Sequence, residues 1–435
     1  MSAKSLTRVL FLALLSTMPL TAWPALTIQI NRGIKGATPI AIVPFQVQKP
    51  GTQPGEDVAA IIASDLARSG RFAPIDPRNM PSRPGDISEV DFADWRLMRT
   101  ANIVIGKIKQ IPGGKFSIEF RLLDVNRGNQ VTGFQVNAGV DELRRTAHQF
   151  SDIIYERLTG ERGAFDTRIA YITESGTRNN RRYQLLVADS DGFGSRTVLS
   201  SRSPIMSPDW SPDGRKLSYV SFEAKKPQIF VQDLASGKRR KLTSFPGLNS
   251  APAYSPDGRK LAITLSKDGN PEIYVLDIAS SRLRRITVNG AIDTEPDWSP
   301  DGQSLVFTSN RGGKPQIYRI PAAGGRAERL TFEGSYNSRP RYSPDGQQVA
   351  FVYGNDGLFR IAIMDLNNGA LKVLTDSYLD ESPSFAPNGS MILYATSNAQ
   401  GSSLAAVSVD GDVQQTLVER RGAAREPAWS PFRKP

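Results

Sequence analysis

Pro208-Asp209-Trp210-Ser211-Pro212-Asp213-Gly214 is the stretch on which the fold of this chain turns. Ser-Pro-Asp-Gly makes a tight turn: proline presets φ at the second position, aspartate tolerates the third and glycine suits the fourth. The unit returns as Pro252-Ala253-Tyr254-Ser255-Pro256-Asp257-Gly258, at residues 296–302 and 340–346, and as Pro383-Ser384-Phe385-Ala386-Pro387-Asn388-Gly389. A sixth copy, Pro427-Ala428-Trp429-Ser430-Pro431, stands at the C-terminus. The second proline falls at 212, 256, 300, 344, 387 and 431, a spacing of 43 or 44 residues throughout. A period of that length is a propeller blade.

Each turn is followed by an alternating strand such as 216–221, then by one such as 228–234 or 272–278. A further strand ends in Leu242-Thr243, Ile286-Thr287, Leu330-Thr331 or Leu374-Thr375. With the strand bearing the aromatic residue, that makes four short strands per unit. The aromatic strand occurs six times, at Trp210, Tyr254, Trp298, Tyr342, Phe385 and Trp429. The other three also occur six times, beginning with 167–173, 183–189 and 197–200, which have no aromatic strand ahead of them. The Trp429 strand has no partners behind it. The orphan strand and the orphan triplet complete one another, which predicts an all-β six-bladed propeller over residues 164–435, closed by strands from both ends and without exposed edges.

Upstream the pattern differs. Lys4 and Arg8 precede the apolar run from Val9 to Leu15, and small or polar residues follow up to Ala25, as in a secretory leader. Ser16, Thr17 and Pro19 cut the run too short for a membrane span. The expected cleavage follows Ala25, with Ala22 as the alternative, so residues 1–25 are read as a signal peptide. Residues 26–36 form a segment of their own, in which Leu26-Thr27-Ile28-Gln29-Ile30 alternates at strand period before Gly33 and Gly36. Residues 37–163 read as a small α/β domain. A buried strand lies at 39–45, and helices are expected over 56–69, 92–99 and 141–158. Three strands are expected over 102–109, 115–124 and 130–137.

The composition removes several functions. The 435 residues contain no cysteine, so disulfides, zinc-thiolate sites and cysteine nucleophiles are excluded. The net charge of +11, or +9 without Lys4 and Arg8, is not gathered into a long basic run, and no nucleic-acid partner is expected. The single histidine, His148, falls on the helix 141–158, where a helix-surface role is expected rather than a catalytic one. No G-x-S-x-G elbow or phosphate loop occurs, and the Asp-Gly pairs follow from turn geometry without a metal. The chain is therefore read as a non-enzyme without cofactor or metal. A hydrolase working through His148 or through paired carboxylates such as Asp380 and Glu381, and a glycan-binding propeller, are the competing readings.

Binding has a place in the repeat. If the turns share one face, the residues just before each aromatic strand lie at the opposite end of the channel. These are Ser207, Asn249 and Ser250, Asp293, Thr294 and Glu295, Asn337, Ser338 and Arg339, Asp380, Glu381 and Ser382, and Arg425 and Glu426. They vary from blade to blade while the turns do not, as a recognition rim requires. Loops at 225–227, 267–270 and 310–314 are expected to rise beside this rim and add positive charge. The alternating residues Leu26, Thr27, Ile28, Gln29, Ile30, Asn31, Arg32 and Gly33 could add as a strand to a partner's sheet edge, or form a permanent edge strand of their own domain.

The chain resembles the TolB family of the periplasmic Tol–Pal system. The junction Leu158-Thr159-Gly160-Glu161-Arg162-Gly163-Ala164-Phe165-Asp166-Thr167-Arg168-Ile169-Ala170-Tyr171, the stretch Phe92-Ala93-Asp94-Trp95-Arg96 and the repeated turns carry the resemblance. It implies a monomeric periplasmic adaptor whose propeller mouth binds Pal, the peptidoglycan-associated lipoprotein. It implies that the N-terminal segment meets the C-terminal domain of TolA, or folds back on its own protein and so couples the two events. Outer-membrane integrity and constriction at cell division are the implied roles, and colicins are implied to exploit the same surface. Thr294-Glu295-Pro296 and Asp380-Glu381 match the family's rim pattern, whereas Leu248 stands where a histidine can occur.

Overall fold

Alternating apolar residues in the first domain build a mixed sheet in the strand order Phe72–Pro74, Thr38–Ile42, Asn102–Ile111, Lys115–Asp124 and Asn129–Ala138. The structure is a computed structural model that describes residues 26–32, 36–48, 54–177, 179–399, 401–419 and 422–434. The expected leader, residues 1–25, and Gly33 lie outside the described residues.

Helices α1 (Val58–Arg68) and α3 (Leu143–Thr159) cover one face of the sheet, and α2 (Phe92–Leu97) covers the other. The Asp57 carboxylate caps α1 by accepting from the Ala60 amide at 3.0 Å. Gly160, at φ 80°, ends α3 in the left-handed turn that a residue with a Cβ resists. The apolar stripe of each helix meets Phe120 and Ile118, with the Phe120 and Phe150 rings 4.2 Å apart. Each such fully buried side chain contributes about 1.5–3 kcal/mol. Helix α3 starts two residues later than its periodicity predicts because Val140–Glu142 forms a 3₁₀ turn.

The second domain contains six blades. Blade one joins Arg168–Ser175, Arg182–Asp189 and Arg196–Ser201 to the C-terminal strand Ala423–Trp429. Blades two to six begin with the inner strands Ile205–Trp210, Asn249–Tyr254, Asp293–Trp298, Tyr336–Tyr342 and Leu379–Phe385. The C-terminal strand pairs antiparallel with Arg168–Ser175, with Ala424 opposite Thr173 and Trp429 opposite Ile169. It lies beside the inner strands of blades six and two.

The aromatic residues and turns lock neighbouring blades. Trp210 Nε1 donates to Ala428 O at 3.0 Å, and Trp298 Nε1 donates to Ala253 O at 3.1 Å. The amides of Tyr254 and Tyr342 donate to the carboxylates of Asp209 and Asp297, each at 2.8 Å. A Cβ added to Gly258, Gly302, Gly346 or Gly389 would lie 3.4–3.8 Å from the turn proline of the preceding blade. Pro431 stands in that relation to Gly214, at 3.7 Å, so the last copy of the repeat precedes the first in space.

The N-terminal strand β1 (Leu26–Arg32) is not an edge of its own domain's sheet. It pairs antiparallel with Gln414–Glu419, the outermost strand of blade six, with Leu26 opposite Glu419 and Ile30 opposite Gln415. That outer strand carries unpaired backbone groups, which an extended segment can satisfy.

Candidate functional site

One residue before the first proline of every repeat has a left-handed backbone: Ser207 (φ 50°), Ala251 (48°), Glu295 (56°), Arg339 (54°), Ser382 (58°) and Glu426 (46°). A non-glycine residue in that region costs on the order of 1–3 kcal/mol, and a following proline already bars the ordinary α region. At each of them the pairing register slips by a residue, as between Thr294 and Asp297 or Arg425 and Ala428. Such a bulge turns a side chain out of the ladder and re-aims it. All six line one open cavity of about 220 Å³ at the propeller mouth. The first domain meets the opposite, turn-bearing end, where Asn388 Nδ2 donates to Arg162 O at 2.9 Å and Arg145 to Lys434 O at 3.5 Å. The described residues of the first domain therefore leave the mouth uncovered.

Arg339 crosses this mouth. Its guanidinium lies 3.3 Å from Glu295 and 4.0 Å from Glu426, and it donates to Ser382 Oγ. Glu295 also accepts from Thr308 Oγ1 at 2.9 Å and from the Arg339 amide at 3.0 Å, while Glu426 accepts from the Ser207 amide. Burial works against the charge on Arg339, but Glu426, Glu295 and Glu381 together overcome it and hold the guanidinium protonated. Deeper in the channel, Arg341 lies 3.5 Å from Asp297. Burial pushes Asp209 up to about 7 despite the opposing pull of Arg341. The mouth is thus a polar floor in which Arg339 faces Glu295 and Glu426 while Arg341 pairs with Asp297 below it.

The expected rim residues divide into two sets. Ser250, Thr294, Glu295, Arg339 and Ser382 line the cavity together with Glu426, Glu381 is half-buried on its strand, and Arg425 is exposed and 3.4 Å from Glu174. Asn249, Asp293, Asn337 and Asp380 are instead fully buried, and Ser338 nearly so. The strand period sends these side chains inward to hold the loop that enters each inner strand. Asn249 bonds Phe245 N and O, Asp293 accepts from Arg311 at 2.6 Å and Asn289 at 2.7 Å, and Asn337 donates to Glu333 O at 2.7 Å. Asp380 accepts from the Thr375 and Ser377 hydroxyls. Two of the loop cations are likewise engaged, Arg311 by Asp293 and Lys267 by Asp268 at 2.8 Å.

Apolar rim residues went unread in the sequence. Met206, Ile292, Phe332, Tyr336 and Tyr378 are exposed on or beside the entries to the inner strands, Phe332 at 73% and Tyr378 at 67%. They fall two to eight residues before the first proline of their repeats, at no fixed offset, so no period marks them.

His148 corrects an expectation. It is buried rather than on a helix surface, with Nδ1 2.7 Å from Asp65 Oδ2 and Nε2 3.8 Å from Asp191 Oδ2. The face of α3 that carries it packs against α1 and the propeller loop, a junction that helical periodicity alone does not reveal. The trio could in principle hold a metal, yet Arg68 and Arg144 already bind its two carboxylates, which is poor chemistry for a cation site.

The family model described as the TolB amino-terminal domain matches residues 26–131, and that described as the TolB beta propeller domain matches residues 155–433. The chain belongs to the TolB family. Among curated TolB relatives, the Tol-Pal system protein TolB of Thioalkalivibrio sulfidiphilus is 61% identical over 97% of both chains. That of Methylobacillus flagellatus is 62% identical over 94% of this chain and 93% of its own. The crystal structure of TolB from Acinetobacter baumannii matches with a TM-score of 0.87 and 42% identity, covering 93% of this chain and all of that one. Membership of the TolB family makes this chain a component of the Tol–Pal system.

Proposed function

We propose that the chain is a non-enzymatic periplasmic adaptor that binds the lipoprotein Pal at the propeller mouth and the C-terminal domain of TolA through residues 26–33. In this role it supports outer-membrane integrity and constriction during division, acts as a monomer, and offers colicins the same mouth. The observation that carries the reading is the convergence of all six strained pre-proline residues on one uncovered cavity. Strain repeated at the same position and aimed at a common opening is the mark of a built recognition surface. Exposed aromatic and aliphatic side chains around a polar floor fit a protein partner.

Phe332→Ala with Glu381→Arg, which alters only the rim, tests the mouth. Affinity for Pal by calorimetry is expected to fall at least about tenfold while thermal unfolding is unchanged. Equal affinity would remove the mouth from the proposal. A hydrolase screen is expected to show no turnover, and turnover lost on His148→Ala would overturn the non-enzymatic reading.

A further inference from the structure

The one histidine of the chain lies where the two domains meet, between a carboxylate from each. Helix α1 contributes Asp65 and Arg68. Helix α3 contributes His148 itself, Arg144 and Asp152. The propeller contributes Asp191 and Ser190 from the loop after its second strand. Arg68 donates to Asp65 at 2.9 Å and to Ser190 Oγ at 3.1 Å, crossing the junction once. Arg144 bonds Asp191, lies 3.5 Å from Glu56 and stacks over Phe193 at 3.9 Å, crossing it again.

We propose that His148, doubly protonated, is a proton-dependent tie between the domains, with Nδ1–H held by Asp65 of the first and Nε2–H facing Asp191 of the second. Among the described residues, buried Nε2 has no hydrogen-bond partner at its 3.8 Å separation from Asp191. A neutral ring protonated on Nδ1 places a lone pair toward a carboxylate, which repels it, whereas an imidazolium places a proton there. Burial opposes the charge on His148, but Asp65, by charge and hydrogen bond, and Asp191 outweigh it and raise the ring above 6.5. Burial also opposes ionisation of Asp65 and of Asp191, yet His148 with Arg68, joined by Arg144 at Asp191, keeps both low. Asp152, raised to about 7 by burial, is the neighbouring acid on the same helix.

The direction of the effect follows. A ring whose native value is raised contributes stability that is fully present below 6.5 and is lost as pH rises through the native value. The junction is therefore tight in mild acid and loosens in alkali. The tie lies close to β1, because Arg68 O accepts from Gln415 Nε2, and Gln415 belongs to the strand on which β1 is paired.

With one histidine, imidazole ¹⁵N NMR reads the tie directly in the full chain. His148 is expected to titrate above 6.5, with both nitrogens protonated below its midpoint. Asp191→Asn should lower its midpoint although Asp65 remains in place. Amide exchange in α1, α3 and residues 189–193 should quicken as pH passes the midpoint, relative to His148→Gln at the same pH. The expected factor is about ten for each unit by which Asp191 raises the ring. Asp152→Asn should leave the His148 midpoint in place. A midpoint at or below 6.5, a midpoint insensitive to Asp191→Asn, or equal exchange in wild type and His148→Gln would each overturn the proposal. If His148→Gln does not fold, the Asp191→Asn midpoint decides alone.

Discussion

Trp429→Ala asks whether the C-terminal strand is integral to the propeller or an appendage. The side chain is half-buried against the apolar cluster that contains Ile169 and Leu393, and Nε1 donates to Thr167 Oγ1 at 2.9 Å. Removing a buried tryptophan costs about 3–5 kcal/mol, and partial burial places this one near about 2 kcal/mol. Loss of the indole hydrogen bond adds about 1 kcal/mol. The sum of about 3 kcal/mol corresponds to a melting temperature lower by about 6–12 °C for a domain of this size. Trp210→Ala, at the same place in an internal blade with Ala428 O as acceptor, is the reference. Urea unfolding followed by circular dichroism should give Trp429→Ala a loss of about 3 kcal/mol and Trp210→Ala, whose ring is buried, a larger one of about 4–6 kcal/mol. If Trp429→Ala unfolds like wild type while Trp210→Ala does not, the reasoning from strand complementation is wrong.

Three further outcomes are expected. Asp380→Ala, which strands the Thr375 and Ser377 hydroxyls in a buried site, should cost about 2–3 kcal/mol, whereas Glu381→Ala should stay within about 0.5 kcal/mol in the same denaturant assay. Burial raises Asp209 to about 7, so its contribution is full below its ordinary value near 3.8 and is lost as pH rises through 7. Asp209→Asn should flatten that fall in a pH series of melting curves, and an unchanged slope would place the titration elsewhere. Deleting residues 26–33 should abolish binding to TolA and leave binding to Pal, measured by calorimetry with each partner; loss of neither would refute the assignment of β1.

The blade count was legible because the repeat encodes it in covalent terms: a proline, an aspartate and a glycine at fixed offsets have few backbone choices. The placement of Ala423–Trp429 beside Arg168–Ser175 followed from counting strands. Which rim residues face the mouth was not legible. Strand alternation sends Asp293 and Asp380 inward and Thr294 and Glu381 outward, but the bulge at Glu295 or Ser382 then resets the phase. Composition does not announce a bulge, although a residue trapped before proline in all six repeats was a hint. His148 was misplaced for a different reason: helical periodicity identifies the face toward the helix's own domain and is silent about a second domain resting on the remainder. The last strand of blade two, Arg239–Thr243, ends at its Leu-Thr pair as expected, but those of the next three blades stop before theirs. Thr287, Thr331 and Thr375 use their hydroxyls to accept from Ile273, Ile317 and Ile361 amides at 2.9–3.0 Å, replacing strand pairing with a side-chain bond.

Hydrogen–deuterium exchange of the chain with and without saturating Pal tests the account most directly. Protection should gather on residues 205–208, 249–252, 293–296, 337–340, 380–383 and 424–427, the six stretches that carry the left-handed residues, and spare the Ser-Pro-Asp-Gly turns at the other end. Protection centred on those turns, or on the first domain alone, would contradict it.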